Sequence, residues 1–402
     1  MASTLIVVGG IIGGAYVLSP FVLWRSFFLI LKRILVTRDL GTRSKLKLLL
    51  HLTKELLYLP LLTLLWFIDE LWFHAFRTTE VKSPIFIMSQ PRSGTTFLLR
   101  TLSLDSQTFF SLKHLEWRLP FIVLWKALDR LGLRERVEKI NYWRNTEPGR
   151  LASKLHFHEL GSFEEHGIFF EERMYHHYFT FRRFPLPEIL ARVTDIENLS
   201  NGEKRKLVRT FKKVVQKASY YRGAGRIWLT KENESVDLYR ILHEAFPNAR
   251  FLVIVREPSA FVSSYITMSN TCTAAKHGID PNTIPKWYDA NLQFRRHQCL
   301  KQKAFSLELE KCGAVTYITF KQFTTAVAQT VRYIYSEMNI PMSDEYSACL
   351  EEIQRKQSLR VPGYTNKPCD ISGFEDFTEF VKRAEDRPTS SASGKEPVVV
   401  RQ

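Results

Sequence analysis

Hydrophobic and polar positions fall into three patterns along the chain. Thr4 to Trp24 runs for 21 residues without a charged side chain, enough for a helix to cross a hydrocarbon core that takes about 20. No positive region or clear small-residue cleavage site precedes Arg25, so the run predicts a retained span rather than a cleaved leader. Leu56–Ile68 holds 13 uncharged residues between Lys54-Glu55 and Asp69-Glu70. That is short for a span, and it predicts either a short second crossing or an interfacial helix. From Ser83 to about Lys382 short apolar runs alternate with stretches of helical spacing. Ile85–Met88, Ile227–Leu229, Phe251–Val255 and Val315–Thr319 predict buried strands, with Ser235–Ala245 and Gln322–Met338 among the helices between them. Strands separated by helices imply a parallel sheet with helices on both faces. The expected organisation is a membrane anchor with a basic juxtamembrane region over 1–80, an α/β domain over 83–382, and a Ser- and Pro-rich disordered tail over 387–402.

Charge narrows this picture. The net charge of +16 suits nucleic acid, a membrane surface or anionic small molecules. Eight Lys or Arg lie between Arg25 and Glu55, directly after the first apolar run, as a membrane flank would have them. A second cluster, Lys204 to Arg222, lies on a helix whose Leu207, Phe211, Val214, Ala218 and Tyr221 make one apolar face, so its charges are expected on the solvated side. No zinc finger, RNA-binding signature or basic heptad region accompanies them, which argues against nucleic acid. Cys272, Cys299, Cys312, Cys349 and Cys369 show no CxxC spacing; they argue against a metal site and permit disulfides without requiring any.

The chemistry centres on Pro84–Leu102, PIFIMSQPRSGTTFLLRTL. An apolar strand leads into a tight polar loop, and Thr95 and Thr96 open a helix. First-turn N–H groups and the helix dipole favour an anion there. Gly94 lets the backbone approach it, Arg92 adds permanent charge, and Ser93, Thr95 and Thr96 offer hydroxyls. The loop is not a nucleotide triphosphatase loop, which needs Gly where Ser89 stands and Lys where Thr95 stands. Further on, RFLVIVREPSAFVSSYITMSN places Arg256 at the end of a second buried strand, with Pro258 opening a helix and Ser264 two helical turns beyond.

PRSGTT resembles the 5′-phosphosulfate loop of sulfotransferases, enzymes that use 3′-phosphoadenosine 5′-phosphosulfate (PAPS). Arg256 with Ser264 is similar to the family's 3′-phosphate motif. Trp228-Leu229-Thr230-Lys231-Glu232-Asn233 resembles the segment that carries a Lys beside the bridging oxygen of the transferred sulfuryl group. The resemblance covers roughly 83–380 and implies a P-loop-like fold, PAPS as donor and no metal. It implies donor binding by Arg92, Ser93, Gly94, Thr95, Thr96, Arg256 and Ser264, with Lys231 and Arg92 acting on the transferred group. The cytosolic branch has its catalytic His where Asn233 stands, so the base must lie elsewhere. Glu116, in HLEWRLP, sits where the tyrosylprotein and carbohydrate branch has a base; Glu165 and His166, in GSFEEH, belong to an acidic segment of a broad further branch. A base here needs a pKa raised by burial. The family's Gly-rich Arg-Lys-Gly loop is missing, and Arg355, Lys356 and Arg360 are the candidate substitutes.

The reading is therefore a membrane-anchored enzyme moving a sulfuryl group to a hydroxyl or amine of a carbohydrate, lipid or sterol, or protein acceptor. Its rivals are a non-catalytic membrane protein that keeps the fold and a P-loop kinase. Trp117, Trp143, Tyr175 and Tyr178 are candidates to line a sugar or sterol site. The sequon at Asn198 favours a lumenal Golgi domain, while the second, at Asn233, falls in the proposed site. A homodimer is a further expectation.

Overall fold

The computed structural model describes residues 13–387, apart from 144, 177–182, 191–194, 196–197, 224, 234 and 360–368. Most of the first half of the expected span, the 388–402 tail, Tyr178 and Arg360 lie outside the described residues. In chain order the elements used below are helices α1 (Trp24–Val36), α2 (Thr42–Leu57) and α3 (Leu59–Trp72), then β1 (Lys82–Ser89) and α4 (Thr95–Leu102). β2 (Phe109–Phe110), α5 (His114–Arg118), α6 (Ile122–Arg130) and α7 (Asn201–Ala218) follow. Then come β3 (Ile227–Glu232), α8 (Asp237–Ala245), β4 (Arg250–Val255), α9 (Pro258–His277) and α10 (Trp287–Lys311). β5 (Val315–Thr319), α11 (Phe320–Thr325), α12 (Val327–Glu337) and α13 (Asp344–Ser358) complete the set. The chain forms two compact units: Met1–Val81 with Leu112–Ala224 and Met268–Asn291, and Lys82–Ser111 with Gly225–Thr267 and Leu292–Gln402.

The second unit holds a five-stranded sheet in the order β2-β3-β1-β4-β5, every neighbouring pair parallel. Its central strands are apolar on both faces because helices cover both; Ile85–Met88 and Phe251–Val255 are fully buried. Phe86 packs its ring against Trp228 and Phe251, each 5.4 Å away between centroids. The Tyr239 hydroxyl reaches the carbonyls of Ile87 at 2.6 Å and Glu232 at 2.9 Å, tying α8 beneath β1 and β3. The fold is the parallel α/β sheet expected from the sequence. It differs in detail: β3 continues through Lys231 and Glu232, and β2 is too short to leave a periodic signal. The predicted helix Gln322–Met338 is two helices, because the backbone leaves the helical region at Ala326 (φ −132°, ψ 67°). All five cysteines are free thiols.

The first unit is helical. Asp69, near the end of α3, accepts the N–H groups of Ile122 (2.8 Å) and Val123 (2.9 Å), which open α6 and have no partner within that helix. The same carboxylate pairs with Lys217 Nζ at 2.9 Å, both side chains fully buried. Lys217 lies over the Trp66 ring at 3.5 Å. Lys217 is therefore an exception to the expected solvated face of α7, while Arg205, Arg209 and Lys212 stay exposed. Burial drives its pKa down to about 8, with Asp69 acting in the opposite sense. Asp69→Ala strands a buried ammonium and two helix N–H groups, and we expect a stability loss of about 3–5 kcal/mol. Urea unfolding of the variant beside Lys217→Met checks this; the lysine variant, which leaves no buried cation, should lose less.

Candidate functional site

Strand register assembles the site. Lys231 pairs with Ile87, Glu232 with Met88, and Ile254 with Ser89. β1, β3 and β4 therefore end together, and the segments that follow them emerge at one carboxyl edge, where parallel sheets bind ligands. β1 delivers the loop Gln90–Gly94, β3 delivers Lys231 and Asn233, and β4 delivers Arg256. Gly94 sits at φ 82° just before α4, a left-handed backbone that favours glycine. A Cβ there would meet the Phe320 ring at 3.2 Å. Arg92 also has a positive φ, 65°, so the loop turns sharply on two left-handed residues. Gly94, the N-cap of α4, has no side chain to cap the helix, which suits its first N–H groups to an anion.

The side chains converge on that turn. Arg92 Nε donates to Ser264 Oγ at 3.0 Å. Arg256 donates from Nη1 to the Arg92 carbonyl and lies 4.0 Å from the centroid of the Phe320 ring. Asn233 Nδ2 donates to Thr95 Oγ1 at 3.2 Å. Lys231 is buried at the end of β3, and Thr96 is half-buried on the first turn of α4. Ser93 is fully buried, yet its Oγ has no hydrogen-bond partner among the described residues. An orphaned hydroxyl beneath a left-handed glycine fits a loop whose missing partner is an anion.

Beneath the loop lies a group the sequence reading missed. Gln90 donates to Gln302 Oε1 at 2.7 Å and to the Gln298 carbonyl at 3.2 Å, and accepts from Arg295 Nη1 at 3.0 Å. Gln298 Oε1 accepts the Val236 N–H at 2.9 Å. The Arg295 guanidinium is fully buried, 4.2 Å from the Tyr265 ring centroid. The network links the loop after β1, the segment after β3 and helix α10. Arg295, Gln298 and Gln302 recur at helical spacing, which is the signal that marks a buried polar stripe.

Residues 84–344 match the model of the sulfotransferase family, more than half of the chain and every donor-side residue named above. The chain belongs to the sulfotransferase family. Its fold is similar to that of sulfotransferase STF9 from Mycobacterium avium, with 13% identity, 88% of this chain and 89% of that one covered, and a TM-score of 0.65. It is similar also to sulfotransferase STF1 from Mycobacterium tuberculosis, with 14% identity, 90% and 92% coverage, and a TM-score of 0.62. No curated protein matches the sequence.

In a sulfotransferase the acceptor must surrender a proton, and the three candidate bases all belong to the first unit. Glu116 is fully buried between two guanidiniums, with Arg134 Nη2 at 2.8 Å and Arg222 Nη2 at 2.6 Å. The Lys113 N–H adds a bond at 2.8 Å. Burial alone pushes this carboxyl up, but Arg222, the Lys113 amide and Arg134 together hold it below the usual range. The pKa raised by burial that the sequence reading required of a base is therefore not found at Glu116, because its charge partners outweigh desolvation. Glu165 and His166 are buried. His166 stands among the rings of Trp117, Phe170 and Phe211, at 5.6 to 6.3 Å between centroids.

Other candidates resolve into structure. Trp117 stacks on Phe211 at 5.7 Å, and Trp143 and Tyr175 are buried. Arg355 and Lys356 are exposed on α13 and pair with Glu352. The donor atoms of His156, His158 and Glu164 lie within 4.8 Å of one another. Arg118 and Lys276 bear on the adjoining His114, an unfavourable setting for a further cation.

Glu116→Gln leaves two partly buried arginines without their shared counter-charge and should cost about 3–5 kcal/mol at neutral pH. The sign with pH follows from the lowered pKa. Glu116 contributes its full stabilisation above an unfolded value of 4.5 and loses it as pH falls through the lower folded value. The gap between the wild type and Glu116→Gln should therefore narrow on acidification, as read from melting temperatures across pH 3 to 7.

Proposed function

We propose that this chain transfers a sulfuryl group from PAPS to a hydroxyl or amine of a carbohydrate, lipid or sterol, or protein acceptor at a Golgi membrane. The observation that carries this reading is the loop Arg92–Thr96, with its left-handed Gly94, its orphaned Ser93 hydroxyl and its cationic neighbours Arg92 and Arg256. Arg256 and Ser264 hold the 3′-phosphate of the donor nucleotide. Ser93, Gly94, Thr95, Thr96 and the first turn of α4 hold the 5′-phosphosulfate. As the acceptor oxygen or nitrogen bonds to sulfur, it gives up its proton to the base, Glu165 or His166, and the bond to the bridging oxygen breaks, its electron pair leaving with 3′-phosphoadenosine 5′-phosphate. Negative charge grows on the bridging and equatorial oxygens, where Lys231 and Arg92 stabilise it. Family membership and the fold of the two mycobacterial sulfotransferases support this assignment.

Binding of 3′-phosphoadenosine 5′-phosphate to the detergent-solubilised full chain, followed by calorimetry without magnesium, tests the donor site. Arg92→Ala and Arg256→Ala should each weaken binding by about 10- to 100-fold, the worth of one charged hydrogen bond. An absence of binding by the wild type would sink the proposal and leave a non-catalytic protein that keeps the fold. Asn233 is the feature that favours this second reading, since its amide cannot accept the acceptor's proton and instead engages Thr95.

The base is assigned by comparing Glu165→Gln, His166→Asn and Glu116→Gln in PAPS turnover against a panel of hydroxyl acceptors. We expect Glu165→Gln or His166→Asn to lower kcat by about 100-fold or more with donor affinity retained. The ion-paired Glu116 should act through stability instead, and a kcat loss confined to a fully folded Glu116→Gln would reverse that assignment.

A further inference from the structure

Helices α2 and α3 form an apolar stretch, Thr42–Trp72, of 31 residues with a mean hydropathy of 1.5 in its most apolar window, long enough to cross a bilayer. Its two sides differ. Leu48, Leu52, Leu59, Thr63 and Trp66 are buried against the rest of the first unit, at three-, four- and seven-residue steps that mark one helix face. The same side carries ions. Asp69 meets Lys217, Glu70 meets Lys213 at 2.7 Å, and Glu55 meets Arg183 at 3.0 Å. Lys213 and Lys217 lie on α7, whose outer surface exposes Arg205, Arg209 and Lys212. A bilayer crossing by α3 would draw that charged helix into hydrocarbon with it, at a steep desolvation cost.

The opposite side is bare and apolar. Leu46, Leu50, Leu57, Leu61, Leu64 and Leu71 are each more than half exposed, again at three-, four- and seven-residue steps, and Trp72 ends the row. α1, which packs on α2, adds exposed Phe28, Leu35 and Val36. Exposed cations edge this surface: Arg25, Lys32, Arg38, Arg43, Lys47 and Lys54, against the single exposed acid Asp39 in the same stretch. A leucine row edged by lysine and arginine and closed by tryptophan is the pattern of a helix lying in a membrane surface. Its apolar side chains sit at the headgroup–acyl boundary and its cations meet phosphate and carboxylate headgroups.

We propose that Thr42–Trp72 does not cross the membrane but lies along it, seating the first unit on the surface of a bilayer rich in anionic lipid. The inference rests on the first unit alone and stands whether or not the donor loop binds PAPS.

Depth measurement tests it on the full chain reconstituted in vesicles of phosphatidylcholine with phosphatidylserine. Single cysteines replace Leu50, Leu57, Leu64 or Leu71 in a Cys312→Ser background and carry an environment-sensitive fluorophore; the unsubstituted background supplies the blank. These positions are exposed, so the substitutions spare the fold. Lipids with quenchers at graded depths then locate each label. All four labels should lie at one shallow depth. Depths that pass from one leaflet to the other would establish a span and overturn the proposal. Four unquenched labels would overturn it too, leaving the face to a protein partner. In a second arm, Lys47→Glu with Lys54→Glu, or omission of phosphatidylserine, should lower vesicle partitioning about tenfold or more. Partitioning indifferent to both would remove anionic lipid from the proposal.

Discussion

Parallel pairing of β1 with β3 on one side and β4 on the other is the constraint on which the cluster of cations at the carboxyl edge depends. Parallel strands run to a common edge, so groups far apart in sequence arrive together only if the register holds. Ile87 opposite Lys231 and Ser89 opposite Ile254 fix that register. A slip of one residue would turn Lys231 to the opposite face of the sheet. The buried apolar runs Ile85–Met88 and Phe251–Val255 resist a slip, since the helices on both faces are packed against particular side chains. The hydrophobic core of the second unit thus determines where its cations stand.

The geometry of the Gln90–Gly94 loop was legible in the sequence because anion recognition puts its residue types in short local order. Strand, Pro91-Arg92-Ser93-Gly94 and paired threonines declare a loop whose geometry follows from backbone rules. Arg256 and Ser264 are two helical turns apart, again a local relation. Other features depend on distant partners. Glu116 reads as a buried acid from its neighbours, but Arg222, which holds it ionised, lies 106 positions further along. Lys217 reads as one charge among many on α7, and only the fold sets it against Asp69 and Trp66. Two residues of β2 are too few to show a period. Nothing in Thr325-Ala326-Val327 announces the break between α11 and α12, since neither Gly nor Pro is present.

The apolar stretch before the sheet shows the limit of composition as a guide to topology. Length and hydropathy describe a helix as a whole, and Thr42–Trp72 passes both tests for a span. Which side of the helix carries Asp69 and Glu70, and what they meet, depends on tertiary contacts that no window average contains. A span and a surface helix differ here by the ion pairs of Glu55, Asp69 and Glu70.

The buried seat under the donor loop has a consequence for how affinity is set. Gln90 is gripped by Arg295, Gln298 and Gln302, more than 200 positions along the chain, in a buried polar network. Its hydrogen bonds are not all made: among the described residues the Nε2 atoms of Gln298 and Gln302 are buried without a partner, so a further loss there would be costly. The seat therefore bears on how much of the population presents the left-handed turn at Arg92 and Gly94. Apparent affinity is the intrinsic affinity scaled by the population of that state. Substitutions of Arg295, Gln298 or Gln302 would then move the loop's affinity for an anion by shifting a conformational equilibrium, with the loop's own side chains intact.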